Sequence, residues 1–336
     1  MKVTSNKFAY DVLLILILYW HSPMLAGDPM NLKVTATGDL ALWRGGTLFE
    51  TIETWAITAY ARADEYRIVG EGVVGAIRLK QDIGFDGVDT FFLSDGRGAI
   101  LPQGSVELEG IAYSGRFPEN SSIVLQSVWM ALCSKGYFVE PLHRTNLKLD
   151  AVLNWSPADF VTNVVDYWDG STVPKRVMGW SKNWVRIPGS GGDQQLKHYP
   201  NGFKVWELET SDVEHIGEFV VPRQITMHGF APRPPETSES GTAVTLTRRV
   251  RISVGSAEVV KQVFNVFPDV PVPEILVVDR RFLSETGRRV LIAHARAPNI
   301  WPTRNSPDME KVRARVRAIS AANGVDQAAD QAAPVN

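Results

Sequence analysis

The 336-residue sequence predicts a mainly β fold of the α+β kind: a curved antiparallel sheet, or half-open barrel, wrapped around an apolar helix. Three observations predict it. Hydrophobic residues after Gly38 recur with period two: in residues 73–80, Val73, Gly75, Ile77 and Leu79 alternate with Val74, Ala76, Arg78 and Lys80, the signature of a half-buried strand. Phe85-Asp86-Gly87 follows, and Asp-Gly supplies the positive φ of a tight hairpin turn before a second strand over residues 88–93. Residues 121–134 instead read as a helix whose Ile123, Val124, Leu125, Val128, Trp129 and Leu132 leave little polar face. A helix apolar nearly all round has to be enclosed by protein, and in a β-rich chain the enclosing element is a curved sheet.

At the N-terminus, Lys2 and Lys7 precede an apolar run over residues 12–20, followed by Pro23, Met24, Leu25, Ala26 and Gly27. A basic start, a short apolar stretch and small residues before a polar segment read as an export signal over residues 1–27. The run is about nine residues, against the roughly 20 that a membrane-crossing helix needs. No transmembrane span is therefore expected in the mature chain, which is read as periplasmic or secreted. Cys133 is the only cysteine, so neither an internal disulfide nor a lipid anchor behind the signal is available. Residues 28–304 are read as one β-rich domain.

Within it, further strands are read at 47–60, 106–112, 202–210, 217–221 and 224–230, with a second hairpin turn at Asp95-Gly96. Residues 231–241, rich in Pro, Ser and Glu, read as an exposed loop. Strand character resumes at 242–254 and 275–278 and ends with a last strand at 290–294. Ser121 or Ser122 caps the central helix, and Lys135-Gly136 stops it. Near the C-terminus Ser306, Pro307, Asp308 and Glu310 open an amphipathic helix over 307–321, whose stripe of Met309, Val312, Val316 and Ile319 docks on its own domain or on a protein partner. From Gly324 onward the composition is that of a disordered tail.

Composition and motifs exclude more than they assign. A net charge of −2 builds no field for nucleic acid, so no nucleic-acid partner is expected. The glycine-rich run 188–193 lacks the Walker spacing of a phosphate loop and the elbow of a serine nucleophile. The histidines outside the signal (His143, His198, His215, His228, His294) show no metal spacing, and no carboxylate pair stands out for glycoside hydrolysis. No catalytic residue, metal or cofactor is expected, and the reading is non-enzymatic.

One polar residue breaks an apolar pattern. Val244, Leu246, Val250, Ile252 and Val254 share a face of one strand, and Arg248 falls on that same face. Either a bulge at Arg248-Arg249 turns it outward, or its guanidinium enters an apolar interior and needs a carboxylate or the polar head of an amphipathic ligand.

Trp55-Ala56-Ile57, Phe85-Asp86-Gly87 leading to Thr90-Phe91-Phe92, the helix of Trp129, Tyr199-Pro200-Asn201-Gly202 and the segment 217–222 together carry a resemblance. Over residues 38–230 the chain resembles the superfamily of periplasmic lipoprotein carriers and their relatives, the LolA, LolB and RseB-like proteins. That resemblance implies a half-open antiparallel barrel draped over helices, with an apolar cavity that holds acyl chains and performs no chemistry. It transfers no ligand-binding residue, and the Arg-rich segment from Arg280 lies outside it.

The expected role is thus an exported protein binding a lipid, a lipoprotein acyl chain or another hydrophobic small molecule. Trp55, Ile57, Phe91, Leu93, Val128 and Trp129, chosen by periodicity, are the candidate cavity lining, with Arg248 as the polar contact. The same residues could simply fill a core. Two other classes stand beside it: a carbohydrate-binding or carbohydrate-active β-sandwich using Trp155, Tyr167, Trp168, Trp180 and Trp184, and a structural or interaction protein of the envelope.

Overall fold

The computed structural model describes residues 30–44, 47–62, 64–97, 107–118, 120–135, 160–181, 184–188, 194–198, 203–232, 244–281 and 291–304, with 306, 307, 310, 311 and 314. The signal segment, the tail, Trp155 and nearly all of the loop 231–241 lie outside the described residues. The first six strands run as a meander: β1 (Asn31–Arg44), β2 (Thr47–Arg62), β3 (Glu65–Val74), β4 (Ile77–Phe85), β5 (Asp89–Arg97) and β6 (Glu107–Ser114). After the helix come β7 (Phe160–Tyr167), β8 (Pro174–Ser181), β9 (Trp184–Pro188), β10 (Gln194–His198), β11 (Lys204–Ile216), β12 (Phe219–Pro232), β13 (Val244–Val260), β14 (Glu274–Asp279) and β15 (Leu291–Arg296).

Thirteen of these strands form one sheet, ordered β15-β14-β6-β5-β4-β3-β2-β1-β13-β12-β11-β8-β7, while β9 and β10 make a separate hairpin. Pairing is antiparallel throughout the large sheet except between β14 and β6. The predicted fold class is the observed one: an open, curved sheet folded over a helix. Register shifts at Thr35/Ala36, Leu40/Ala41, Leu42/Trp43 and Gly229/Phe230 sit in the long central strands. Each inserted residue bends its strand and adds twist, which curls the sheet.

Several boundaries differ from the sequence reading. The period-two run 73–80 crosses a hairpin: β3 ends at Val74 and β4 begins at Ile77, with the turn at Gly75-Ala76. Alternation continues through a two-residue turn, so periodicity alone does not detect it. Asp86-Gly87 does turn the chain, with Asp86 Oδ1 accepting from the backbone N–H of Val88 at 3.0 Å and Asp89 at 2.8 Å. Asp95-Gly96 is not a turn, because β5 runs through to Arg97. Residues 219–221 and 224–230 belong to one strand, β12, with 217–218 in the turn before it, and β1 begins at Asn31, ahead of Gly38.

The helix α1 (Ile123–Val128) continues as a π-helical turn, Trp129–Cys133. Ser122 caps it, its Oγ accepting from Val124 N–H at 3.2 Å, and the left-handed Lys135 (φ 34°) ends it. Leu32, Val34, Ile57, Ile68, Val250 and Ile252 on the concave face are buried against it. Gly38 makes the close approach available, since a Cβ there would lie 2.6 Å from Val124 Cγ1.

The convex face is covered in part by the returning C-terminal chain. Phe91, Leu93 and Ala112 pack there with Val270, Val277 and Trp301 in a second, smaller core. The strap lies so close that a Cβ on Gly84 would meet the Val266 carbonyl oxygen at 1.5 Å, which only glycine tolerates. Two ionic clusters anchor it. Arg67 bridges Asp82 at 2.6 Å and Asp269 at 2.7 Å. Fully buried Arg281 pairs with Asp279 at 2.5 Å and Asp89 at 3.2 Å, and Arg304 adds a second guanidinium to Asp89 at 2.8 Å. Residues 307, 310, 311 and 314 are helical, at the predicted C-terminal helix.

Candidate functional site

The concave face is apolar along most of its length and turns polar at one end, where α1 begins. There Glu53 lies one alternation from Trp55 on β2, opposite Leu40 of β1. Its Oε2 accepts from the Trp55 indole N–H at 2.8 Å and from the Ser122 hydroxyl at 2.5 Å. Gln81, buried on β4, accepts the Ser122 backbone N–H through Oε1 at 2.8 Å. A carboxylate and an amide thus clasp the first turn of the helix, where backbone N–H groups lack partners within the helix.

Arg248 belongs to the same end. The bulge falls between Leu246 and Arg248, opposite Gly229/Phe230, so Arg248 stays in register with Leu42 and keeps the facing of Val250 and Ile252. The bulge thus lies ahead of Arg248-Arg249 and does not turn Arg248 outward, so of the two sequence alternatives the register follows the one in which the guanidinium faces the concave side. Burial pulls Arg248 below the ordinary range of its type, and the Glu53 carboxylate works against that shift. Among the described residues Arg248 has no hydrogen-bond partner. Ile52, Val74, Leu79 and Val244 pack half-buried against the main core.

The remaining sequence candidates separate into three groups. Trp55 and Ile57, each 3% exposed, line the concave face under the helix. Val128 and Trp129 are helix residues that fill the concavity; Trp129 meets Phe117 edge to face at 5.2 Å. Phe91 and Leu93 do not join them, because they lie on the convex side in the core under the strap. Thr90-Phe91-Phe92-Leu93 is apolar on both faces of β5, since both faces are covered, so alternation could not say which residues face the helix. Val124, Leu125, Trp129 and Met130 are 0% exposed, leaving no water-sized gap beside them. The space between sheet and helix is therefore filled by side chains at these residues.

Glu53 and Gln81 escaped the sequence reading, although the signal existed. Glu53, Trp55, Ile57 and Ala59 alternate on one strand face, a polar residue closing an apolar series just as Arg248 does. Of the aromatic residues considered for sugar platforms, Trp168 donates its indole N–H to Thr210 Oγ1 at 2.9 Å and stacks under Lys175. Tyr167 packs half-buried against the main core, and Trp180 is half-buried on β8. The side chain of Trp184 lies outside the described residues. Cys133, at the end of the π turn, is buried, and burial pushes its thiol up to about 12, which makes it chemically inert.

The architecture is similar to that of a DUF1329 family protein from Desulfovibrio piger, at 10% identity, with 76% of this chain and 94% of that chain covered and a TM-score of 0.28. It is also similar to a LolA superfamily protein from Nitrosomonas europaea, at 11% identity, with 70% and 87% covered and a TM-score of 0.27. Both likenesses are weak. No family model and no curated protein matches the chain.

Proposed function

We propose that this protein is a non-enzymatic carrier that takes an amphipathic hydrophobic molecule, a lipid or a lipoprotein acyl chain, at the polar end of its concave face, and that it works outside the cytoplasm. The observation that carries the reading is Arg248: a half-buried guanidinium without a hydrogen-bond partner among the described residues, on the strand face that it shares with the buried Val250 and Ile252. A cation in that setting suits an anionic head, because charge-assisted hydrogen bonds gain strength where water is scarce. The apolar residues of the same face suit the chain behind the head, at roughly 25 cal/mol for each Å² covered. No described helix is long and apolar enough to cross a membrane.

The test is a titration of the delipidated full chain with a dansyl-labelled fatty acid. Saturable uptake is expected at one site, weakened about tenfold or more by Arg248→Leu, the equivalent of one charge-assisted contact. Absence of uptake by the parent, or equal uptake by the variant, overturns the proposal.

A further inference from the structure

The convex face carries a recess separate from the polar end of the concave side, where β13, β1, β2, β3 and β4 lie side by side. Its volume is about 590 Å³, and a smaller recess of about 230 Å³ continues it past Glu71 and Arg78 toward Lys80 and Asp95. The outward residues at its floor are short: Thr37, Thr54, Ala56 and Ser253 leave the pleat unfilled. Longer charged side chains stand around them, Asp39 and Glu71 of one sign, Arg78 and Arg251 of the other.

These charges are poorly matched to one another. Arg251 reaches Asp39 only at 3.4 Å, and Lys80 reaches Glu71 only at 3.5 Å. Among the described residues Arg78 has no hydrogen-bonding or ionic partner. Its register partners are Val73 on β3 and Arg97 on β5, neither of which supplies a counter-charge.

We propose that this recess binds an acidic oligosaccharide, a uronate-type sugar. The carboxylate of such a sugar meets Arg78, whose planar fork takes a carboxylate through two parallel hydrogen bonds. Its hydroxyls donate to Asp39 and Glu71 and exchange hydrogen bonds with Thr37, Thr54 and Ser253. Other ligand classes fit less well. A small inorganic anion gains from Arg78 but is repelled by the two carboxylates and leaves the hydroxyls unused. Nucleic acid requires a cationic surface, which Asp39 and Glu71 interrupt. An acyl chain makes no use of Asp39, Glu71, Arg78 and Arg251, which stand around the recess. A polyhydroxylated ligand with isolated negative charges uses both signs and the hydroxyls together, and the volume falls in the usual range of small-ligand sites.

The experiment titrates the full chain with trigalacturonate and, separately, with its methyl ester, following binding by calorimetry. Binding of the acid is expected, with affinity about tenfold lower for the ester and for Arg78→Ala. Asp39→Asn, a near-isosteric change at a partly exposed position, is expected to weaken it as well, and Arg248→Leu on the opposite face to leave it unchanged. Unaltered far-UV dichroism checks that each variant folds. No binding by the parent, equal binding of acid and ester, or equal binding by Arg78→Ala overturns the proposal.

Discussion

Glu207 shows how single charges tie the outer strands of the sheet together. It is nearly buried on β11, and burial acts to raise its pKa. Hydrogen bonds from Lys204 at 2.6 Å and from Arg176 Nε at 2.5 Å outweigh burial, so the net shift is downward. A carboxylate whose folded pKa is depressed stabilises the protein above its unfolded pKa, near 4.3, and loses that contribution as pH falls through the folded value. Glu207→Gln is therefore expected to lower stability by about 1 kcal/mol at pH 7, a figure discounted for the exposed Arg176. The difference between variant and parent should shrink below about pH 4. Urea unfolding midpoints of both proteins between pH 7 and pH 3 measure this; a difference that stays constant with pH contradicts it.

Among the elements, the short helix has the largest effect on what the concave face can hold. The π turn follows α1 directly, and their side chains occupy the space that a sheet of this curvature leaves open. Leu125 is fully buried there, beside Gly70 and Trp55. Leu125→Ala removes three carbons from a site with rigid strand walls, so collapse around the gap is incomplete. A loss of about 2–5 kcal/mol is expected in urea titration. The gap would be apolar and dry, so saturating benzene should restore part of the loss. A loss below about 1 kcal/mol would mean that the helix is not held by the sheet as described. On the opposite face, the strap contributes Trp301, whose indole N–H reaches the Pro268 carbonyl at 2.8 Å, closing the strap on itself. Gly84 and the buried Arg281 cluster keep it flat on β4 and β5.

At the scale of the molecule, both faces of β5, β6 and the second half of β4 are covered, one by the helix and one by the strap, whereas the recess over β13, β1, β2, β3 and the start of β4 is left open on the convex side. The proposed carrier site and the proposed sugar site thus lie on opposite faces of the same strands, a layout that suits a protein working among lipids and polysaccharides outside the cytoplasm. The export signal read in residues 1–27 predicts that the processed chain begins near Asp28 and sits in the periplasmic or secreted fraction. Intact-mass measurement of the protein from fractionated cells tests this. An unprocessed chain recovered with the cytoplasmic fraction contradicts it.

The amino-acid sequence by itself determined the class of fold, because alternation, the Asp86-Gly87 turn and an all-apolar helix are local signals that no long-range contact has to complete. It also marked Trp55 and Ile57 on their proper face, since β2 has one apolar side and one polar side, and it left the facing of Arg248 open between two alternatives. Only the tertiary structure decided that Phe91 and Leu93 face the strap, that 73–80 holds a turn, and that Glu53 meets Ser122 within electrostatic reach of Arg248. The reason is physical. A strand covered on both faces carries no alternation to read, a two-residue turn preserves the alternation around it, and a polar cluster drawn from β2, β4, β13 and the helix exists only once the sheet has curled.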